Sequence, residues 1–253
     1  LFFEDVKPTY LIQNDQHAYV KLAMPVTNKD KLEIGGGIAT TIDDYYQTSQ
    51  FTQNDTADKT TFDMVTSHLL FERNTLNRKQ YATQGTYFGF KARSVHGEEH
   101  SVPGTTAADS INPTRVLHEW LQFKIIFDKY YKQRGVLRMG VFFEGVTSTQ
   151  PLFNNYTASM LASPAFQPLA ESKTLFQKNF RAHTYAAFGL KNIISIKNRF
   201  DLRLEAYVYQ PYQEIDPGKN DYSEPFLRRY FIGTAALVGN TPIGPMSFSV
   251  NYY

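Results

Sequence analysis

Residues 230–253 read YFIGTAALVGNTPIGPMSFSVNYY, from Tyr230 to Tyr253. Two alternating segments flank a proline-bracketed turn, Thr241-Pro242-Ile243-Gly244-Pro245. Beyond the turn, Met246, Phe248, Val250 and Tyr252 fall on one side of an extended chain. Ser247, Ser249, Asn251 and Tyr253 fall on the other, because side chains of a strand alternate faces. One face is greasy and the other small and polar. The pattern predicts one hairpin of a membrane β-barrel.

Composition points the same way. The 253-residue chain carries 20 Phe and 17 Tyr against one Trp, yet its mean hydropathy is negative. No apolar run approaches the ~18–20 residues of a membrane helix, and no period of 3.6 is sustained. A transmembrane barrel reconciles these facts, since half its residues face lipid and half a wet interior. The absence of cysteine excludes a disulfide framework and cysteine–metal sites. A formal net charge of +2 gives no global electrostatic case for nucleic acid. No signal peptide is visible at Leu1, so it was removed or the chain starts inside a longer protein. Leu1-Phe2-Phe3 before Glu4-Asp5 resembles the interior of a chain.

The alternation recurs upstream. Residues 1–17 read as a lead-in segment and 18–253 as the barrel domain. Val20, Leu22, Met24 and Val26 share a face, and Leu32, Ile34 and Ile38 follow after a polar turn, with Gly35 and Gly37 marking a bend or close strand approach. Further strands are expected over about 62–72, 81–95, 117–130, 135–146, 180–194 and 200–209. A tight turn is expected at Tyr131–Arg134 and another near Lys197-Asn198. Connections run short, long, short, long, with the long ones near 42–61, 96–116, 147–179 and 211–229. Loops above ~12–15 residues are uncommon in compact domains. Outer-membrane barrels, in contrast, have short periplasmic turns and long extracellular loops. The expected fold is therefore all-β, an antiparallel transmembrane meander of about ten strands. Tyr45, Tyr46, Tyr130, Tyr131, Tyr207, Tyr209, Tyr212 and Tyr230 lie near strand ends, as interface girdles would. A soluble β-sandwich would also alternate, but it accounts less well for the loop lengths and the aromatic count.

The terminal stretch Thr241–Tyr253 resembles the last strands of the bacterial surface antigen barrel superfamily, which comprises outer-membrane insertases and two-partner secretion transporters. Within it, several stretches look like the barrel of Bacteroidota patatin-like phospholipases. These are Tyr81–Thr86, Gly97–Glu99 before Pro103-Gly104, Pro151–Thr157, Ser163–Pro168 and Leu202–Tyr207. The resemblance covers most of the chain from about Phe62. It implies more than ten strands, hence a part of a larger barrel with a closing strand after Tyr253. It also implies a hydrolase domain ahead of the barrel, with its serine in Gly-x-Ser-x-Gly. That motif is absent from this chain. Insertase relatives carry an Arg-Gly-aromatic tip on a loop folded into the lumen; Arg134-Gly135-Val136 sits in a short turn and departs from it.

Chemistry-bearing patterns are few. His96-Gly97-Glu98-Glu99-His100 fits H-x-x-E-H, a zinc-peptidase pattern that needs both histidines on one helical face. Gly97 and nearby Pro103 and Gly104 argue instead for a solvated loop tip. The six histidines, at 17, 68, 96, 100, 118 and 183, have no nucleophile or carboxylate at a meaningful sequence spacing. No catalytic residue, cofactor or metal is expected. Mid-strand charges are more informative. Lys91, Lys124, Arg138, Glu144, Arg203 and Glu205 should face the lumen, because a charge facing lipid costs ~2–4 kcal/mol at the midplane. Phe123, Ile125, Phe143, Leu204, Phe248 and Val250 should face lipid. The resemblance implies an outer-membrane barrel of a Gram-negative bacterium that anchors, and helps export or orient, a patatin-like phospholipase domain missing from this chain. The alternatives are an insertase or secretion barrel, or a passive porin. Expected partners are outer-membrane lipids and lipopolysaccharide, the barrel-assembly machinery, the upstream patatin-like domain and a second copy in a homodimer, with no nucleic acid.

Overall fold

The computed structural model of the protein describes residues 11–48, 51–107, 112–196, 200–242 and 244–253. Ten strands form one antiparallel meander: β1 (Leu11–Pro25), β2 (Asp30–Tyr45), β3 (Asp58–Asn74), β4 (Thr86–Val102), β5 (Thr114–Arg134), β6 (Leu137–Ser148), β7 (Tyr185–Ile196), β8 (Phe200–Pro211), β11 (Tyr230–Thr241) and β12 (Gly244–Tyr252). Two short strands, β9 (Ile215–Asp216) and β10 (Asp221–Tyr222), pair within the connection after β8. Among the described residues β1 pairs only with β2 and β12 only with β11, so the sheet is an arc with two open edges.

Register sorts the side chains into two faces. On the outer face Phe88, Phe127, Phe143, Phe188, Val208 and Phe231 lie opposite one another across six successive strands. A second outer row joins Leu22, Ile34, Leu69, Ala92 and Phe123. In the final hairpin Met246, Phe248, Val250 and Tyr252 are 65–74% exposed on this face. A soluble monomer rarely leaves so much contiguous apolar surface uncovered. The inner face of β5 to β8 carries Lys124, Asp128, Glu144, Lys191, Arg203 and Glu205, and the folded connections pack on it.

Several boundaries differ from the sequence reading. β1 begins at Leu11, inside the expected lead-in, because Leu11–His17 pair with β2 through Tyr45–Ala39. The turn expected at Tyr131–Arg134 lies farther on: β5 absorbs a bulge between Tyr130 and Lys132 and reverses at Gly135, whose φ of 58° suits glycine. Tyr81–Gly85 are not strand, and neither are Phe180–Thr184; both segments belong to connections. His96–His100, expected in a loop, are strand residues of β4. The glycines of β2 do mark a close approach. A Cβ on Gly37 would lie 2.3 Å from the Ala18 carbonyl oxygen and 2.4 Å from the Tyr19 ring. The turn near Lys197-Asn198 lies outside the described residues.

Candidate functional site: the inner face and its folded connections

The connection from Thr149 to Thr184 folds against the inner face. It contains α1 (Tyr156–Ala162), whose N-cap Asn155 accepts a hydrogen bond from Ala158 N at 2.9 Å. Arg181 closes the other end of this helix, donating to the carbonyls of Leu161 at 2.9 Å, Ser163 at 3.1 Å and Met160 at 3.3 Å. A cation there satisfies carbonyls that the helix leaves unpaired.

Three polar anchors tie the connection down. Glu99 of β4, 1% exposed, accepts the backbone N–H of Asn154 at 3.0 Å and pairs with His118 of β5 at 2.7 Å. The His118 ring stacks on Phe153 at 4.7 Å, beside Phe62 and Trp120. Tyr45 of β2 hydrogen-bonds Asn155. Asn220, in the β8–β11 connection, donates to the Phe153 carbonyl at 2.8 Å, so the two long connections are joined. Farther along, Phe166 and Phe180 pack against Tyr185, Tyr207, Tyr209 and Ile232. Tyr45, Tyr207 and Tyr209 are fully buried here, which overturns their reading as girdle residues. Inner-face aromatics and interface aromatics sit at the same strand ends, and alternation does not separate them.

The opposite end of the arc is also crossed. The connection from Thr75 to Gly85 runs inward from β3 and β4 to reach β6, β8 and β12. Arg138 donates to Thr83 Oγ1 at 2.5 Å, Arg203 to the Ala82 carbonyl at 2.9 Å, and Tyr81 shares a 2.7 Å hydrogen bond with Ser247. Thr83 is 1% exposed. Asn77 holds the loop in shape by accepting the N–H groups of Thr83 and Gln84.

Between the two connections lies a charged zone. Lys124 bridges to Glu144 at 2.7 Å, and Tyr185 donates to the same carboxylate at 2.6 Å. Lys191 pairs with Asp128 at 2.7 Å, and Arg203 with Glu205 at 2.8 Å. Tyr207 also donates to Glu205. Register places Lys91, Lys124, Arg138, Glu144, Arg203 and Glu205 on this inner face. It places Phe123, Ile125, Phe143, Leu204, Phe248 and Val250 on the outer one.

The histidines separate by environment. His96 and His100 stand on the outer face of β4, two rungs apart along an extended strand, so they do not converge as the zinc-peptidase pattern requires. Among the described residues no group of His, Cys, Asp or Glu could hold a metal ion. His68 pairs with Glu33 at 3.1 Å. His183, in the long connection, shares a 2.7 Å hydrogen bond with the Tyr222 hydroxyl, which donates to the Gln150 carbonyl. Nδ1–H therefore donates to Tyr222, and Nε2 is buried without a partner. Burial pushes the His183 pKa down to about 4.

The folded connection thus holds the neutral ring. Its contribution is complete above the unfolded value near ~6.5 and falls by about 1.4 kcal/mol per unit as pH drops from there towards 4. Protection factors of residues 149–184, which correct amide exchange for its intrinsic pH dependence, are expected to fall between pH 7 and pH 5, and less so in His183→Gln. An unchanged pH profile in the variant removes His183 as the cause.

No protein-family model matches the sequence, and no curated protein does either. Among solved structures, the chain is similar to BamA from Haemophilus ducreyi lacking POTRA domains 1–3, with a TM-score of 0.62 at 13% identity. The superposition covers 98% of this chain and 53% of that one, so the chain spans about half its length. The likeness defines the fold as part of a β-barrel of the BamA type. The buried Glu99–His118 anchor had no signal in the sequence beyond period-two placement on adjacent strands.

Proposed function

We propose that the chain is the membrane-embedded part of an outer-membrane β-barrel of a Gram-negative bacterium. The observation that carries this is the unbroken outer row from Phe88 to Phe231, backed by an inner face of ion pairs. The outer face meets lipid and the inner face a lumen. The short turns lie at the periplasmic rim, with 75–85 at the same end. The barrel domain includes Leu11–His17, ahead of Ala18. The open edges of β1 and β12 are closed by further strands, since unpaired strand edges are not tolerated in hydrocarbon.

Within that reading, the barrel anchors and orients a patatin-like phospholipase domain. The sequence resemblance supports this, and two connections packed on the inner face suit an anchor. An insertase or secretion role is the second reading, favoured by the BamA-type fold. The full gene separates them: a Gly-x-Ser-x-Gly hydrolase ahead of the barrel supports the first, and periplasmic docking modules alone support the second. Fractionation tests the common part. The protein should enter the outer-membrane fraction and migrate faster on gels unless boiled; a soluble, heat-insensitive protein refutes it.

Connections that cross the inner face at both ends also make a prediction against the passive-pore alternative. In planar bilayers the intact protein is expected to show no steady open conductance. A stable ohmic pore would mean that the 75–85 and 149–184 connections leave a continuous water path.

A further inference from the structure

Two adjacent rungs of the inner face gather cations, of which Lys91 and Arg93 have no carboxylate partner among the described residues. One rung runs Lys21, Gly35, His68, Arg93 and Gln122 across β1 to β5. The next runs Ala23, Glu33, Leu70, Lys91 and Lys124. Lys91 and Lys124 are therefore direct cross-strand neighbours, an arrangement that destabilises a sheet when both carry the same charge. The nearby carboxylates are already engaged. Glu33 is held by His68 at 3.1 Å and Lys31 at 3.2 Å, with Lys21 at 3.9 Å. Glu144 takes Lys124 and Tyr185. Arg93 offers five N–H donors, yet its hydrogen bond is to the Met64 sulfur at 3.7 Å. Lys91 has no ion pair or hydrogen bond among the described residues.

Gly35 has no side chain, and the His68 ring takes that space, since a Cβ there would lie 2.6 Å from it. Lys91, Arg93 and Lys124 thus form a cationic patch on the inner face of β4 and β5.

We propose that this patch binds an oxyanion of the phosphate class, as free phosphate or as the phosphate of a lipid headgroup. The Lys91 ammonium supplies point charge, beside a Lys124 shared with Glu144, and the Arg93 guanidinium supplies the fork that grips two oxygens of one anion. Bound anion relieves the Lys91–Lys124 opposition. The site is independent of what the barrel carries.

The test uses the full-length protein folded in detergent micelles, with gel heat-modifiability as the readout of unfolding. Potassium phosphate is compared with potassium chloride at equal ionic strength and pH. Phosphate is expected to raise the unfolding midpoint saturably, and chloride is not. Lys91→Gln should raise the phosphate needed for half the effect about tenfold or more. The Lys91→Gln/Arg93→Gln double variant should lose the response while unfolding in chloride no earlier than the wild type. Should the double variant not fold, ³¹P line broadening of inorganic phosphate by wild type against the single variant gives the same answer.

Equal shifts in the two salts, or an undiminished response in the variants, overturn the proposal. So does stabilisation by polyglutamate without any by phosphate, which would assign the patch to an acidic protein segment. Phosphorus in an organic extract of purified wild type, reduced in the double variant, identifies a lipid headgroup as the source. A response that needs added inorganic phosphate identifies the free anion.

Discussion

Replacing Arg203 by leucine is expected to destabilise the barrel by about 3–5 kcal/mol, the range for removing one partner of a buried ion pair. Arg203 is 5% exposed and sits where three things meet. It donates from Nε to Glu205 at 2.9 Å, from Nη1 to the Ala82 carbonyl at 2.9 Å, and from Nη2 to the Tyr130 hydroxyl at 3.2 Å. Its guanidinium also lies over the Tyr81 ring at 5.7 Å. Loss of the cation leaves Glu205 buried with the Tyr207 hydroxyl as its hydrogen-bond donor, and leaves the 75–85 connection tied to β8 through Arg78 and Asp201 at 3.5 Å. Urea unfolding in vesicles, followed by Trp120 fluorescence, measures the cost. The double variant Arg203→Leu/Glu205→Leu separates the two contributions. Recovery of most of the stability means that the stranded carboxylate dominates. If the double variant remains as unstable as the single one, the contacts to Ala82 and Tyr130 dominate instead, and the short connection is then a structural part of the barrel rather than an appendage.

The same residues show what the sequence made visible. The outer rows could be read because apolar residues at period two have one physical explanation over a long strand, and β8 displays it without interruption from Phe200 to Val208. The charges Arg203 and Glu205 could be placed opposite them for the same reason. The partners of those charges could not. Lys191 meets Asp128 across the sheet, but Arg203 meets Ala82 from a segment that reads as the start of a strand. Nothing local in Tyr81-Ala82-Thr83 distinguishes a strand from a loop that crosses the inner face, because what holds it there is two arginines more than fifty residues away in sequence. The long connection is similar. Phe153, Phe166 and Phe180 lie among prolines and polar residues, and sequence alone shows a loop. Their burial follows from the inner surface offered by β3 and β5 to Phe153 and by β6, β7 and β8 to Phe166 and Phe180, which exists only once the strands have paired. The misread tyrosines have the same origin: Tyr207 and Tyr209 are inner-face residues by parity with Arg203, and parity was a better guide than proximity to a strand end.

Introducing a charge one residue further on tests the face assignment itself. Leu204→Arg is expected to cost about 2–4 kcal/mol for folding into a bilayer if the position lies near the midplane, and less towards either interface. Leu204 is central in β8, 43% exposed, and sits between Asn192 on β7 and Ala235 on β11, whose other neighbour is Val250. A soluble sandwich makes the opposite forecast, since an exposed surface position normally tolerates such a change within about 0.5 kcal/mol. The competing fold class therefore differs in magnitude at a single site. The natural Arg203 is the internal control, because a guanidinium is tolerated there by virtue of Glu205 and the inner face, not by the strand as such. Refolding into lipid vesicles and into a short-chain detergent should separate the cases further. The penalty should shrink in detergent, where the side chain reaches water more easily, if lipid is what Leu204 meets. A variant as stable as wild type in both would place water on the outer face and remove the membrane reading altogether.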